Sequence, residues 1–195
     1  MFKINKTEKS SITTMPHKVI IHNKKKYVSL AEYSCHDLEN GACEIKKNYS
    51  KYIFCDDEMI ETVYPVKAFT IRDCGKIYYI SEDKIFTNDY LIYSCKKGEK
   101  LMDILTLASE GHLFILAEDG LYKFVLKSRI LIKMYDLDSP TSFDWIPGSF
   151  MIGHTDKITL ISYDEEEWNQ TEIIIPNVKD EDEIAKDIKK GWEEY

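Results

Sequence analysis

The residue types best suited to chemistry in this chain are the consecutive Cys35, His36 and Asp37, which offer a thiol, an imidazole and a carboxylate. Together these groups can form a cysteine nucleophile with its base. Adjacent residues of a β-strand point to opposite faces of the sheet, however, so sequence neighbours do not make a catalytic pair. None of the patterns G-x-x-x-x-G-K-[ST], G-x-G-x-x-G, G-x-S-x-G and H-E-x-x-H occurs either. The sequence therefore predicts no catalytic residue.

Metal and cofactor sites require ligands at characteristic spacings, which this sequence does not have. The five cysteines are odd in number and include no C-x-x-C pair, which argues against a zinc ribbon and a disulfide framework. We therefore expect reduced thiols. The five histidines share no motif: His17, His22, His36, His112 and His154. We predict no metal and no cofactor.

Charge is distributed unevenly along the chain. Residues 1–26 carry seven Lys and one Glu, whereas residues 163–195 carry 12 Asp or Glu and four Lys. Lys24, Lys25 and Lys26 precede an aromatic residue and are candidate phosphate contacts. Nucleic-acid binding is the less favoured alternative, because only two residues are Arg, the side chain that best recognises phosphate and guanine.

The distribution of apolar residues predicts the compartment. The longest apolar runs, such as residues 113–117, are far shorter than the ~20 residues of a membrane-spanning helix. The N-terminal segment MFKINKTEKSS has lysines but no apolar stretch of the kind found in signal peptides. We expect a protein of the cytoplasm or nucleus that is neither secreted nor bound to a membrane.

A repeated pattern organises the middle of the chain. The segment GHLFILAEDGLYKF, which begins at Gly111, alternates apolar and polar residues around a Glu-Asp-Gly turn. Similar segments begin 36 residues earlier, at Gly75, and 37 residues later, at Gly148. Each has a turn aspartate eight residues after its glycine: Asp83, Asp119 and Asp156. With the apolar segments on either side, each unit contains four predicted strands.

The units at 66–93, 102–134 and 141–175 resemble WD40-type β-propeller repeats in their length and in the spacing from glycine to aspartate. The Gly-His and Trp-Asp dipeptides of that family are absent at their expected places, so its His–Asp network is not transferred to this chain. The resemblance implies an all-β fold of antiparallel four-stranded blade-like repeats, as a partial or small β-propeller. An antiparallel β-sandwich or barrel is the alternative.

The units suggest a division of the chain into three parts. Residues 1–16 are expected to be a flexible basic arm, residues 17–177 a β-repeat domain, and residues 178–195 an acidic helix. Within the domain, 17–63 is a possible degenerate fourth unit. Because four blades are at the low end for propellers, the ring is either small and closed or an open arc completed by another subunit or a second copy.

Two segments are candidate contacts for a partner protein. A short C-terminal α-helix is predicted from the acidic residues 180–183 and the spacing of Ile184, Ile188 and Trp192, which form one narrow apolar stripe. Phe143 and Trp145 lie in a predicted loop, where they are either contact residues or core.

These observations favour a non-enzymatic protein–protein interaction scaffold, or a subunit of a larger complex. One alternative is a ribonucleoprotein-associated factor that uses its Lys-rich N-terminal arm. The other is an enzyme with a site in a propeller mouth. The fold by itself does not decide between them.

Overall fold

A computed structural model describes residues 11–37, 43–88, 90–96, 99–107, 111–164 and 167–174. These residues form sixteen β-strands in four antiparallel four-stranded sheets, and no helix occurs among them. The predicted all-β class with four-stranded repeats is confirmed. The predicted C-terminal helix at 178–195, with Ile184, Ile188 and Trp192, lies outside the described residues.

We call the sheets blades 1 to 4, in chain order. Blade 1 consists of β1 (Ser11–His22), β2 (Lys25–Asp37), β3 (Cys43–Cys55) and β4 (Glu58–Glu61). Blade 2 consists of β5 (Ala68–Ile71), β6 (Ile77–Ser81), β7 (Lys84–Thr87) and β8 (Tyr90–Ser94). Blade 3 consists of β9 (Leu101–Leu105), β10 (His112–Ala117), β11 (Gly120–Val125) and β12 (Ile130–Asp136). Blade 4 consists of β13 (Ser142–Ile146), β14 (Ser149–Gly153), β15 (Lys157–Asp164) and β16 (Glu167–Ile174).

In all four blades the strands pair in chain order, so that each strand is hydrogen-bonded to the next one along the chain. The chain divides into two compact units, Met1–Asp138 with blades 1 to 3 and Ser139–Tyr195 with blade 4. In the first unit, β5 lies against both β1 and β9, so the first strands of the three blades are neighbours. This arrangement is that of successive blades of a propeller.

Blade 2 is apolar on both faces because it is packed between blades 1 and 3. Along β6, Tyr78 and Ile80 enter a cluster with blade 3, whereas Tyr79 enters a cluster with blade 1. Phe69 of β5 faces blade 1, and its neighbour Ala68 faces blade 3. Alternate residues thus point to different cores, and the strand reads as a continuous apolar run instead of an apolar–polar alternation.

Two of the turn aspartates have structural roles. The Asp83 carboxylate accepts the backbone N–H of Leu101 at 3.3 Å and so connects the turn of blade 2 to β9. The Asp119 carboxylate accepts the Tyr122 hydroxyl at 2.9 Å and the Lys133 ammonium at 2.7 Å. The hydrogen bond from Lys133 holds the pKa of Asp119 below its ordinary value.

Blade 1 differs from the sequence-based expectation in the length of its strands. β1 begins at Ser11, within the segment predicted as an arm, because Ser11–Pro16 pair with the end of β2. On the same side of the blade, β2 continues to Asp37 and β3 begins at Cys43. The strands of this blade are 12 or 13 residues long, apart from the four-residue β4.

The expectation that all thiols are reduced is wrong. Cys35 is disulfide-bonded, whereas Cys55, Cys74 and Cys95 are free. The expectation relied on the odd number of cysteines, which does not prevent one pair from forming. Burial, followed by the nearby Glu99 carboxylate, raises the pKa of the Cys95 thiol to about 12, so at neutral pH it is protonated and a poor nucleophile.

Blade 4, in the second unit, has an aromatic core of its own. Phe150 is fully buried between Phe143, at 6.5 Å between ring centroids, and Trp145, at 4.8 Å in an edge-to-face arrangement. Phe143 is only 8% exposed. Both rings therefore have a packing role on β13, and their predicted role in partner binding stays a prediction.

Candidate functional site

The face of blade 1 that points away from blade 2 is apolar and exposed. Val19, Val28, Phe54 and Met59 are direct cross-strand partners, so they form one row across all four strands. Val19 is 49% exposed and Met59 is 58% exposed, and nearby Ile21 reaches 77%. We call the row together with Ile21 the outer face of blade 1.

The opposite face of blade 1 is also apolar, and there the side chains are buried against blade 2. Ile53 is fully buried in the cluster with blade 2, where Ile20, Tyr27 and Ile60 pack against it. Both faces of blade 1 are therefore apolar, as both faces of blade 2 are. Only one of them meets another blade of the first unit.

A set of polar contacts holds the first strands of blades 1, 2 and 3 together. The Lys18 ammonium on β1 contacts the Asp103 carboxylate on β9 and donates to the Ile104 carbonyl at 3.0 Å. The Lys67 ammonium donates to the Leu101 carbonyl at 2.6 Å. Nε2 of His17 donates to the Lys67 carbonyl at 2.9 Å. We call these contacts the hub.

Burial and then the Lys47 charge lower the pKa of His17, so the ring is neutral at pH 7. Its hydrogen bond to Lys67 therefore positions the start of β5 without adding charge to the hub. The ring also packs on Tyr49, with 5.0 Å between centroids. The hub thus connects three blades through one ion pair and three hydrogen bonds to backbone carbonyls, two of which come from ammonium groups.

Replacement of Asp103 by Asn tests the hub. The Lys18 and Asp103 side chains are 19% and 23% exposed, so the change leaves a largely buried ammonium without its carboxylate. We expect the free energy of unfolding of the first unit to fall by about 1–3 kcal/mol. Urea unfolding, monitored by the near-ultraviolet circular dichroism of tyrosine, measures this free energy. The double variant Lys18→Met/Asp103→Leu should recover part of the loss, and an Asp103→Asn protein as stable as the original would contradict the role of the pair.

The sequence-predicted phosphate contacts are exposed at the β1–β2 turn. Lys24, Lys25 and Lys26 are all exposed, and the backbone N–H of Lys26 donates to the Asp56 carboxylate at 2.9 Å. Asn23 and Lys24 have positive φ, as a tight hairpin turn requires. The turn lies at the end of β1 opposite to Ser11–Pro16, and phosphate binding there stays a prediction.

The potential metal ligands of the described residues do not cluster. Within the described ranges, no three His, Cys, Asp or Glu side chains are close enough to share a metal ion. None of the described residues belongs to a helix that could cross a bilayer. His112 lies in β10, where its Nδ1 is buried without a hydrogen-bond partner.

The known structures that resemble this chain share its fold, and they do not establish its activity. No family model and no curated protein matches the sequence. A chain in the crystal structure of the mitotic checkpoint complex is 10% identical over 85% of this chain and 68% of its own length, with a TM-score of 0.53.

Two other solved structures match less closely in shape. A gluconolactonase from Xanthomonas campestris is 11% identical over 79% of this chain and 68% of its own, with a TM-score of 0.48. The WD40 domain of SCAP from fission yeast is 14% identical over 90% of this chain and 55% of its own, with a TM-score of 0.41. At such identities, similarity concerns fold and not activity.

The chain is thus built from β-propeller-type blades. The resemblance to WD40-type repeats is confirmed for the architecture of its units, because a sheet of four antiparallel strands occurs four times among the described residues.

Proposed function

We propose that the protein is a non-enzymatic interaction scaffold, and that the outer face of blade 1 binds a second polypeptide chain. The observation that supports this most directly is the apolar row from Val19 to Met59, which continues across all four strands. Exposed apolar side chains that form one contiguous surface are typical of protein-binding sites, whereas scattered ones are not.

The chemistry of this face indicates the kind of partner. Between blades 1 and 2, and again between blades 2 and 3, the chain joins two apolar sheet faces. The outer face of blade 1 is likewise apolar, with valine, isoleucine, phenylalanine and methionine side chains. The partner we propose is therefore an apolar sheet face of another chain, either a second copy or a different subunit. Burial of such a face contributes about 25 cal/mol for each Å² removed from water.

A charge placed in the row tests the proposal. In the double variant Val19→Glu/Met59→Glu, both substituted positions are already half exposed, so the fold should persist while association is lost. We expect the original protein to associate, with itself or with one stoichiometric protein from its source cells, and the variant to remain monomeric. Light scattering of the pure protein and affinity purification from those cells measure the two cases.

Ile132→Glu is the matched control, because Ile132 is 49% exposed on β12 and lies outside the row. It should associate like the original protein. If all three proteins have the same mass and the same bound proteins, the outer face of blade 1 is not a binding surface. Circular dichroism of each variant establishes that the comparison is between folded proteins.

A further inference from the structure

Blade 1 extends past blade 2 on one side. β1, β2 and β3 have 12, 13 and 13 residues, whereas β5, β6 and β7 have four, five and four. His17 is hydrogen-bonded to Lys67, the residue before β5, so the part of β1 that precedes His17 lies beyond blade 2. The paired segments 11–16, 31–35 and 45–49 form a three-stranded extension of the blade.

A cavity of about 440 Å³ lies at the base of this extension. Lys47 and Tyr49 of β3 line one side, and Tyr64 of the β4–β5 linker lines another. Lys67, Ser81 and Glu82 complete it from blade 2. The volume is in the range of sites that hold a small ligand or a few side chains of a peptide.

Two aromatic rings give the cavity firm walls. Tyr49 is supported by His17, with 5.0 Å between ring centroids, and His17 is itself anchored to the Lys67 carbonyl. Tyr64 packs on the buried Phe86, with 4.6 Å between centroids. Each ring is therefore held from behind and needs little ordering when an apolar side chain packs against it.

The Lys47 ammonium lies over two tyrosine rings, only one of which is a wall of the cavity. It lies 4.9 Å from the centroid of Tyr49 and 5.5 Å from that of Tyr33. Among the residues that the structure describes, no carboxylate pairs with it. Cation–π contacts of this kind orient the ammonium but do not neutralise its charge.

The remaining charges of the cavity leave it positive. The Lys67 ammonium donates to a backbone carbonyl, which does not neutralise it. Glu82, the one acid in the lining, is paired with Lys84 at 3.3 Å. The Lys47 ammonium is thus the charge that the cavity offers to a ligand, and the one carboxylate of the lining already has a partner.

We propose that this cavity binds an acidic peptide segment of a partner protein. An Asp or Glu carboxylate of the segment pairs with Lys47, and an adjacent apolar side chain packs between Tyr49 and Tyr64. A free phosphate would lose the contacts with the aromatic walls, which have no polar atoms to offer except the two hydroxyl groups. The site shares no residue with the outer face of blade 1, so either proposal can fail without the other.

Fluorescence anisotropy tests the site with labelled octapeptides. One pool carries two glutamates among randomised apolar positions, and a second pool has glutamine in place of glutamate. We expect the acidic pool to bind at least fivefold more tightly, a ratio equivalent to roughly 1 kcal/mol, and its affinity to fall as salt is added. Inorganic phosphate at an equal concentration should not displace the peptide.

Variants distinguish the site from general attraction to a basic surface. Lys47→Gln should reduce the affinity for the acidic pool to that for the glutamine pool, and Tyr64→Ala should weaken both. Lys76→Gln is the matched control, because Lys76 also lies over a tyrosine ring, 5.7 Å from that of Tyr78, but outside the cavity. Equal binding of the two pools, an unaffected Lys47→Gln protein, or displacement by phosphate would overturn the proposal.

Discussion

Replacement of Phe124 by alanine is expected to lower the free energy of unfolding of the first unit by about 3–5 kcal/mol. Phe124 is fully buried on β11 beside its cross-strand neighbour Leu113, and both belong to the cluster that joins blades 2 and 3. Its ring meets Tyr93 of β8 edge to face, with 5.4 Å between centroids. The change therefore removes apolar burial, an aromatic pair and the packing between two blades together.

The size of the effect reflects how little the site can relax. Residues from two sheets surround the ring, and the backbone ladders of both sheets are fixed by hydrogen bonds, so the cavity that remains cannot close. For a protein of this length, we expect the melting temperature to fall on the order of 10 °C. Phe124→Leu keeps most of the volume and should cost about 1–2 kcal/mol.

Tyr90→Ala is the matched control, an aromatic residue on β8 of which 76% is exposed. Its effect should stay within about 0.5 kcal/mol. Urea unfolding should be followed by tyrosine circular dichroism, because all three tryptophans, at 145, 168 and 192, belong to the second unit. Equal losses in Phe124→Ala and Tyr90→Ala would mean that the seam between blades 2 and 3 is not part of the stabilising core.

The repeating architecture could be predicted because its signals are local. The pattern that recurs from Gly75, Gly111 and Gly148 is a hairpin pattern, and each hairpin forms as its turn residues require. Gly75 and Gly148 have φ values of 78° and 85°, a conformation that glycine adopts readily. Strands and turns of this kind can be recognised from a few neighbouring residues.

The candidate sites could not be predicted, because they depend on contacts between distant residues. Lys47 and Tyr64 line the same cavity only because the strands of blade 1 are longer than those of blade 2. The end of a strand cannot be read from the sequence when apolar and polar residues alternate only weakly along it. The exposure of the outer face of blade 1 cannot be predicted from the sequence for a different reason. Val19 and Met59 look like ordinary core residues in sequence, and only the absence of a covering blade in the first unit exposes them.

The interpretation of Phe143 and Trp145 shows the reverse difficulty. Pro140 and Pro147 flank this segment and suggest a loop, but a five-residue strand, β13, lies between them. The aromatic residues of that strand reach Phe150 because the two strands pair directly from Ser142 to Ile146. A short strand between turn residues is difficult to distinguish from a loop without its pairing partner.

Replacement of Gly120 by valine is expected to destabilise the first unit by about 3 kcal/mol or more. Gly120 follows the Glu118-Asp119 turn and is the first residue of β11, paired with Asp136 of β12. A side chain at this position would run into the Tyr135 carbonyl and would meet the Lys133 side chain 2.6 Å away. Lys133 can move aside, but the Tyr135 carbonyl belongs to the ladder between β11 and β12. The glycine is therefore required for close approach of two strands.

Gly111→Ala is the matched control, because a Cβ there would meet nothing within 4 Å and the backbone is not left-handed. It should be neutral or stabilise the protein by up to about 1 kcal/mol, since alanine restricts the unfolded chain more than glycine does. Gly75→Ala has equal space but a φ of 78°, so it should cost about 1 kcal/mol. Urea unfolding of the three variants should therefore rank Gly120→Val as the most harmful, then Gly75→Ala, then Gly111→Ala. If Gly75→Ala were instead the most harmful, backbone conformation at the turns, and not the approach of β12 to β11, would be the stricter requirement of the repeat.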